Sequence, residues 1–395
     1  MIKTSEEFVL SDSTYVDSLP ELLGCNKEEI LFLDIETTGL SPKNSDLYLI
    51  GVAYYQKHTW HVCQYFAESV EHEAEILKDY PEQTVNLSRI QRLQWIGVAT
   101  QANNRNEELN KQCAEVQRQF KEAGLNTCIL KGQGVASYYN PELTLLRQSG
   151  DIDLWVDGTW QEVMDYVNAR TPNREFDMKH THLEAFPNTI VEVHWWPSMP
   201  KNPFYRKALQ SYYREQSPIQ CNRLVALQDG TEIYAPDAKF EAVHVLYHIF
   251  NHFLYEGIGL RQIMDLYFVL VNGGMTDADR EEVRKTYKRV GLSSIAPAAM
   301  WVLFEVFGMD EEYCIGKKDE ALGRTLLREV EDGGNFGFHS AENQVHNESY
   351  AHRMKRRLIR RLRLMKYNAW GVVTSPFTKL KIILWKRKVI KIYNL

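Results

Sequence analysis

Asp151 and Asp153 stand two residues apart in SGDIDLWVD, which runs from Ser149 to Asp157. On a strand, residues i and i+2 point to the same side, so this pair presents two carboxylates to one spot. Hard divalent cations such as Mg²⁺ take oxygen ligands of this kind, and two of them can clamp both ends of a phosphoryl transfer. The same device occurs earlier, in LFLDIETTGL from Leu31 to Leu40, where it is formed by Asp34 and Glu36. A solvated surface strand is the commoner reason for acidic alternation, so the surroundings of each pair must decide.

Around Asp151 and Asp153 the surroundings point to phosphate chemistry. The stretch LKGQG lies about twenty residues upstream and reads as a strand running into a helix. Backbone N–H groups at a helix start suit phosphate oxygens, and Gly132 and Gly134 let a phosphate approach closely. Lys131 adds positive charge there, and Arg147, just before the acidic strand, can do the same. Downstream, TIVEVHW places Glu192 among apolar residues on a further strand. A charged Glu in such a strand is costly without a partner. A metal ion shared with Asp151 and Asp153 would supply one.

The elements that must hold these residues follow from periodicity and punctuation. Residues 29–34, 47–55 and 59–66 read as strands of a meander, followed by a helix over 69–77 and a boundary near Pro81. A long helix is expected over 88–123, stopped by Gly124. Strands follow at 127–131, 151–156 and 189–195, with helices opening at KGQG and over 159–169. His180 and His182 alternate on a further strand. From about Pro236 the chain reads as helical, with segments over 279–290 and 295–307, a loop at GGNFGFHSAENQ, and basic helices over 352–367 and 377–392.

LKGQGVASYY, LRQSGDIDLWVD, VEVHW and GIGLRQIMDLYFVL resemble the uncharacterised nucleotidyltransferase family of the DNA polymerase beta superfamily, from about residue 90 to the C-terminus. The resemblance implies an α/β (α+β) fold: a small mixed sheet with helices, then a helical domain. It implies that Asp151, Asp153 and Glu192 are catalytic and hold two Mg²⁺ ions. It places Lys131, Gly132, Gly134, Arg147, Ser149 and Gly150 around a nucleoside triphosphate, whose nucleotide passes to an unknown hydroxyl acceptor. The chain departs from the wider superfamily in having Lys-Gly-Gln-Gly where Gly-Ser is usual, and Glu192 where Asp is commoner. LFLDIETTGLSP with DLYLIGVAYY resembles the first motif of ribonuclease-H-like exonucleases with four acidic residues. That likeness implies Asp34 and Glu36 as nuclease metal ligands. It stops near Tyr80, before the remaining acidic motifs, so half a metal site is expected. The resulting division is 1–80, 88–235, 236–345 and 346–395.

His244, His248 and His252 share a helix face, but no HExxH pattern or nearby Cys supports zinc, and structural roles are expected. His180, His182 and His194 fall beside the carboxylates, with contact to substrate or metals and a structural role both open. Arg261 and Asp265, four apart, read as an ordinary intrahelical pair.

The chain has 395 residues, enough for two or three cores, and its net charge of −6 hides an asymmetry. Residues 351–395 carry 14 Lys and Arg and no Asp or Glu. This tail fits nucleic acid, an anionic membrane surface, or docking on the acidic remainder of the chain. No run reaches the ~20 apolar residues of a membrane span, and no signal peptide is expected. Six scattered cysteines suggest a reducing, cytoplasmic setting, with attachment at the membrane periphery open. Two other functions stay in view: a nuclease at Asp34 and Glu36, and a non-catalytic interaction protein using its basic tail.

Overall fold

The computed structural model describes residues 2–8, 31–37, 47–56, 59–66, 89–144, 147, 149–171, 175–255, 257–333, 363–364, 367 and 369–393, with the backbone alone given before residue 100. The expected helix over 69–77, the boundary at Pro81, and most of the loop after Gly333 and of the helix over 352–367 lie outside the described residues. Two compact units divide the chain. One comprises 1–111 with 139–150, and the other 112–138 with 151–395.

The first unit contains β1 (Ile2–Phe8), β2 (Leu31–Thr37), β3 (Leu47–Gln56) and β4 (Thr59–Phe66). They form an antiparallel sheet in the order β1-β4-β3-β2. The strands expected over 47–55 and 59–66 fall where alternation predicts them, whereas the one expected over 29–34 runs over 31–37. Alternation does not predict β1, because IKTSEEF is mostly polar and becomes a strand by pairing along β4 rather than by its own pattern. The first part of α1 (Arg89–Glu122) and the short α3 (Pro141–Thr144) also belong here.

The second unit is built on a mixed sheet in the order β5-β6-β8-β7. Its strands are β5 (Thr127–Leu130), β6 (Asp151–Val156), β7 (His180–Phe186) and β8 (Thr189–His194). β6 and β8 are parallel, while β5 and β7 run antiparallel to their neighbours. One face carries Ile152, Leu154, Val191 and Val193, all buried. The end of α1 is tied to this sheet by Gln117, whose Nε2 donates to the carbonyls of Thr127 (3.2 Å) and Tyr234 (3.0 Å). The Thr189 hydroxyl donates to Gln112 Oε1 at 2.6 Å.

Local chemistry explains the helix limits. α4 (Trp160–Asn168) starts in a Thr159–Glu162 capping box, in which each residue satisfies the other's free N–H. α5 (Pro203–Gln220) begins with Asn202 as cap and Pro203 in its first turn. A small hairpin of β9 (Leu224–Ala226) and β10 (Glu232–Tyr234) follows. The helical part comprises α6 (Ala238–Tyr255), α7 (Leu260–Asn272), α8 (Asp277–Val290), α9 (Ala296–Phe307) and α10 (Glu320–Gly333). α6 is apolar nearly all round and buried along its length, the pattern of a central core helix.

α11 (Ala369–Tyr393) carries much of the basic tail and is docked on the second unit. Trp385 meets the rings of Trp160, Phe176 and Trp195 at centroid distances of 5.8, 5.9 and 6.0 Å. Val389 is fully buried, and the Tyr393 hydroxyl donates to Asp165 Oδ1 at 2.8 Å. The outward side carries Leu380, Ile383 and Leu384, all exposed, among Lys381, Arg387 and Lys388. No described helix is long and apolar enough to cross a membrane.

Candidate functional site

β6 is a short run of DIDLWV whose alternation sends Asp151, Asp153 and Trp155 to one face. The register then fixes their neighbours. Asp153 lies directly opposite Glu192 on β8, and Glu192 lies opposite His182 on β7. The next row on the same face joins Trp155, His194 and His180. Three carboxylates and three imidazoles therefore share one side of three adjacent strands. Deeper along that face, Trp155 stacks on Phe240 of α6 at 5.2 Å and meets Tyr213 of α5 edge-on at 5.9 Å.

Asp153 is almost fully buried and doubly partnered. Its Oδ1 accepts from the Lys131 ammonium at 2.8 Å and lies 2.9 Å from Nε2 of His194. That nitrogen is also 3.2 Å from Glu192 Oε2, so a single imidazole spans both carboxylates. Nδ1 of His180 comes within 3.3 Å of the same Glu192 oxygen. Nε2 of His182 is 3.8 Å from Glu192 Oε1, and its Nδ1 is 3.0 Å from Glu175 Oε2.

The charges are far from their solution behaviour. Burial works to raise Asp153, but Lys131 and His194 outweigh it and hold this carboxyl well below the usual range. Glu192 is likewise opposed by burial, and the His194 contact brings it down to about 2. Asp151, at the open end of β6, is pushed up to about 6, first by desolvation and then by the charge of Asp153; water reaching its tip tempers the first cause. Burial and the charge of His194 push His180 down to about 3. For Lys131, Asp153 and Asp151 overcome desolvation and raise the ammonium.

Lys131 bridges β5 and the five-residue α2 (Gly132–Ala136). Its backbone sits at φ 49°, the one positive φ at a non-glycine among the described residues. Strain of this kind collects at functional sites. Gly134 is required by packing: a Cβ there would lie 2.3 Å from the Ile129 carbonyl oxygen. The expected phosphate-side residues are thus placed differently from one another. Lys131 puts its ammonium on Asp153, Gly132 opens α2 at φ 27°, and Gly134 lets α2 press on β5. Arg147, Ser149 and Gly150 belong to the first unit, where Arg147 Nη1 donates to Ser149 Oγ at 2.9 Å. Asp34 and Glu36 fall on β2, opposite Gly51 and Leu49, and their backbone alone is described.

The donor set fits divalent cations. Asp151, Asp153 and Glu192 are carboxylates on one face, and Asp151 is raised first by desolvation and then by the charge of Asp153, which leaves room for further positive compensation. A cation would supply it. The sequence leaves the roles of His180 and His182 open. Their signal is the period-two spacing of HTH, but only the β7–β8 register shows that they face Glu192. Beyond the carboxylates, a cavity of about 360 Å³ opens at the other end of β6, with Trp155, Trp160, Trp195, Trp196 and Arg214 in its wall.

Of the α6 histidines, His244 is fully buried with no hydrogen-bond partner on either ring nitrogen, and burial followed by the charge of Lys131 lowers it to about 3. His248 and His252 meet edge-on at 4.3 Å. No ligating Cys accompanies them in the described metal-donor groups.

The sequence pattern of a family described as "uncharacterised nucleotidyltransferase" matches residues 78–308, more than half of the chain. The match takes in Asp151, Asp153 and Glu192 and leaves out Asp34, Glu36 and the basic tail. No curated protein matches the chain. Among solved structures, an antigenic nucleotidyltransferase-like protein from Paracoccidioides brasiliensis aligns with a TM-score of 0.32 at 10% identity, over 55% of this chain and 97% of that one.

Proposed function

Because the chain belongs to the uncharacterised nucleotidyltransferase family, we propose that it moves a nucleotide from a nucleoside triphosphate onto a hydroxyl acceptor, as enzymes of the DNA polymerase beta superfamily do. The observation that carries this reading is the register of β6 with β8. It sets Asp153 beside Glu192 and leaves Asp151 one step along the same face. These three side chains would hold two Mg²⁺ ions. Bound there, the ions would neutralise the triphosphate and ease in-line displacement at its α-phosphorus.

The remaining work falls to the chain's own residues. Lys131 and His194 keep Asp153 ionised in a buried position. Lys131 has a second task once the carboxylates are otherwise neutralised, since its ammonium can then turn to a phosphate oxygen. A new oxygen–phosphorus bond forms with the acceptor, the α–β phosphoanhydride bond breaks, pyrophosphate leaves, and the acceptor's proton passes to a site carboxylate. The tryptophan-walled cavity supplies flat apolar surfaces of the kind a base or an aromatic acceptor stacks on.

A binding titration tests the reading. The purified chain is mixed with each of the four ribonucleoside triphosphates, with and without Mg²⁺, alongside Asp151→Asn/Asp153→Asn. Metal-dependent binding that the double variant loses is expected. Absence of binding to every triphosphate would sink the transferase reading.

A further inference from the structure

The imidazoles beside Glu192 are more than the Asp-x-Asp chemistry requires. His180, Glu192 and His194 each bring a donor atom within 4.8 Å of the other two. Nδ1 of His180 and Nε2 of His194 approach the same carboxylate oxygen, at 3.3 and 3.2 Å. The first approach is not a hydrogen bond: Nδ1 of His180 is buried and has no aligned hydrogen-bond partner. A nitrogen close to an oxygen without a shared hydrogen bond fits two ligands that share a metal ion. Ligands bound tetrahedrally at about 2.0–2.1 Å are separated by about 3.3–3.4 Å along each edge, which the two spacings to Glu192 approach.

The surrounding contacts agree. Nδ1 of His194 lies 3.4 Å from the Trp196 carbonyl oxygen, and Nε2, which here meets Asp153 at 2.9 Å, would give up that contact to the ion. A metal-bound imidazole commonly gives its other N–H to a backbone carbonyl in this way. His182, stacked on His180 at 5.4 Å, lies 3.8 Å from Glu192 Oε1 and 3.0 Å from Glu175 Oε2. The ladder makes the grouping rigid, because His180 and His194 are direct cross-strand neighbours and Glu192 precedes His194 by two.

We propose that His180, Glu192 and His194 form a mixed nitrogen–oxygen site for a transition-metal ion of the zinc and manganese class, adjoining the oxygen-only position at Asp151 and Asp153. Imidazole suits such ions, whereas Mg²⁺ is bound through oxygen. The role of this ion in nucleotide transfer rests on the transferase reading, but its binding does not. In the transferase reading this ion would take the place of one of the two Mg²⁺ ions, with Glu192 oriented by it.

The test uses the untagged full-length chain, stripped with a chelator and dialysed against Mg²⁺, Mn²⁺, Co²⁺ or Zn²⁺ without nucleotide. Bound metal is measured by mass spectrometry, Co²⁺ by its visible absorption, and Mn²⁺ by pulsed electron paramagnetic resonance, which detects coupling to ¹⁴N. One retained ion per chain with imidazole nitrogen coupling is expected. His180→Ala should weaken it about 10-fold or more, while Asp151→Asn keeps the nitrogen signal. Binding without nitrogen coupling, or affinity unchanged in His180→Ala, would overturn the proposal. The wild-type spectrum decides even if a variant fails to fold. If the nitrogen-bound ion is present but no triphosphate binds, the metal site stands and the transferase reading falls. If triphosphate binds with Mg²⁺ but no nitrogen coupling is seen, the metal site falls and the transferase reading stands.

Discussion

Asp153 and Glu192 sit side by side on adjacent parallel strands, and the single Nε2 of His194 lies 2.9 Å from one carboxylate and 3.2 Å from the other. With Lys131 Nζ at 2.8 Å from Asp153, cationic or proton-donating groups stand where a divalent ion would otherwise screen the carboxylates. These contacts offset part of the charge of the two buried carboxylates.

Lys131→Met should expose that balance. Asp153 would be left buried with only its His194 contact, at a cost of about 3 kcal/mol. The loss should grow with pH. Asp153 with its lysine has a depressed pKa, so its contribution is present above the unfolded value near 3.8 and fades as pH falls. Urea unfolding at pH 3 and 7.5 reads the difference, and millimolar Mg²⁺ should recover part of it at the higher pH.

Asp151 has the opposite sign. Its folded pKa, about 6, lies above the unfolded 3.8, so the folded state binds the proton more tightly. The stabilisation is complete below about pH 4 and is lost as pH rises through 6. Asp151→Asn escapes that loss. Relative to wild type it should gain stability between pH 4 and 7, by about 1 kcal/mol after discounting for solvent screening. Thermal unfolding across that range checks it, and Mg²⁺ added to wild type should narrow the gap.

Gly134→Ala probes the seat of α2 on β5. The added methyl would lie 2.3 Å from a backbone oxygen that cannot swing aside. A destabilisation of about 3 kcal/mol is expected, read from the urea midpoint.

His244→Phe should do the reverse. The ring is fully buried, lacks hydrogen-bond partners, and already stacks on Phe240 at 5.8 Å. Exchanging an unsatisfied polar ring for an apolar one should leave stability unchanged or raise it by about 1 kcal/mol. A large loss in chemical denaturation would show that His244 does more than pack.

Trp385→Ala should loosen α11. The indole contacts Trp160, Phe176 and Trp195, and its loss should cost about 2–3 kcal/mol of local stability. Trypsin should then cut near Lys386, Arg387 and Lys388 at least several times faster, measured by mass spectrometry of the fragments.

Much of the site is legible in the sequence because its information is local. Period-two spacing alone places Asp151 with Asp153, and Glu192 with His194. Thr159 with Glu162 marks the start of α4, and Gly124 the end of α1. These features depend on a few neighbouring residues and on backbone preferences that no distant contact overrides. The polar strand β1 is not legible, because its pairing with β4 lies some sixty residues away.

The sequence by itself determined which carboxylates share a face within each strand, that a helical domain follows the sheet, and that the tail is basic. Only the tertiary structure decided that β8, rather than β7, lies next to β6, in the register that brings Glu192 to Asp153. It also decided that His180 and His182 join them, that Lys131 turns to Asp153, and that α11 docks through Trp385. The reason is that strand order and register are set by the burial of a whole face. Ile152, Leu154, Val191 and Val193 must be covered together, and a slip of one residue would turn every one of them to the wrong side. That constraint belongs to the assembled sheet, and no single segment carries it.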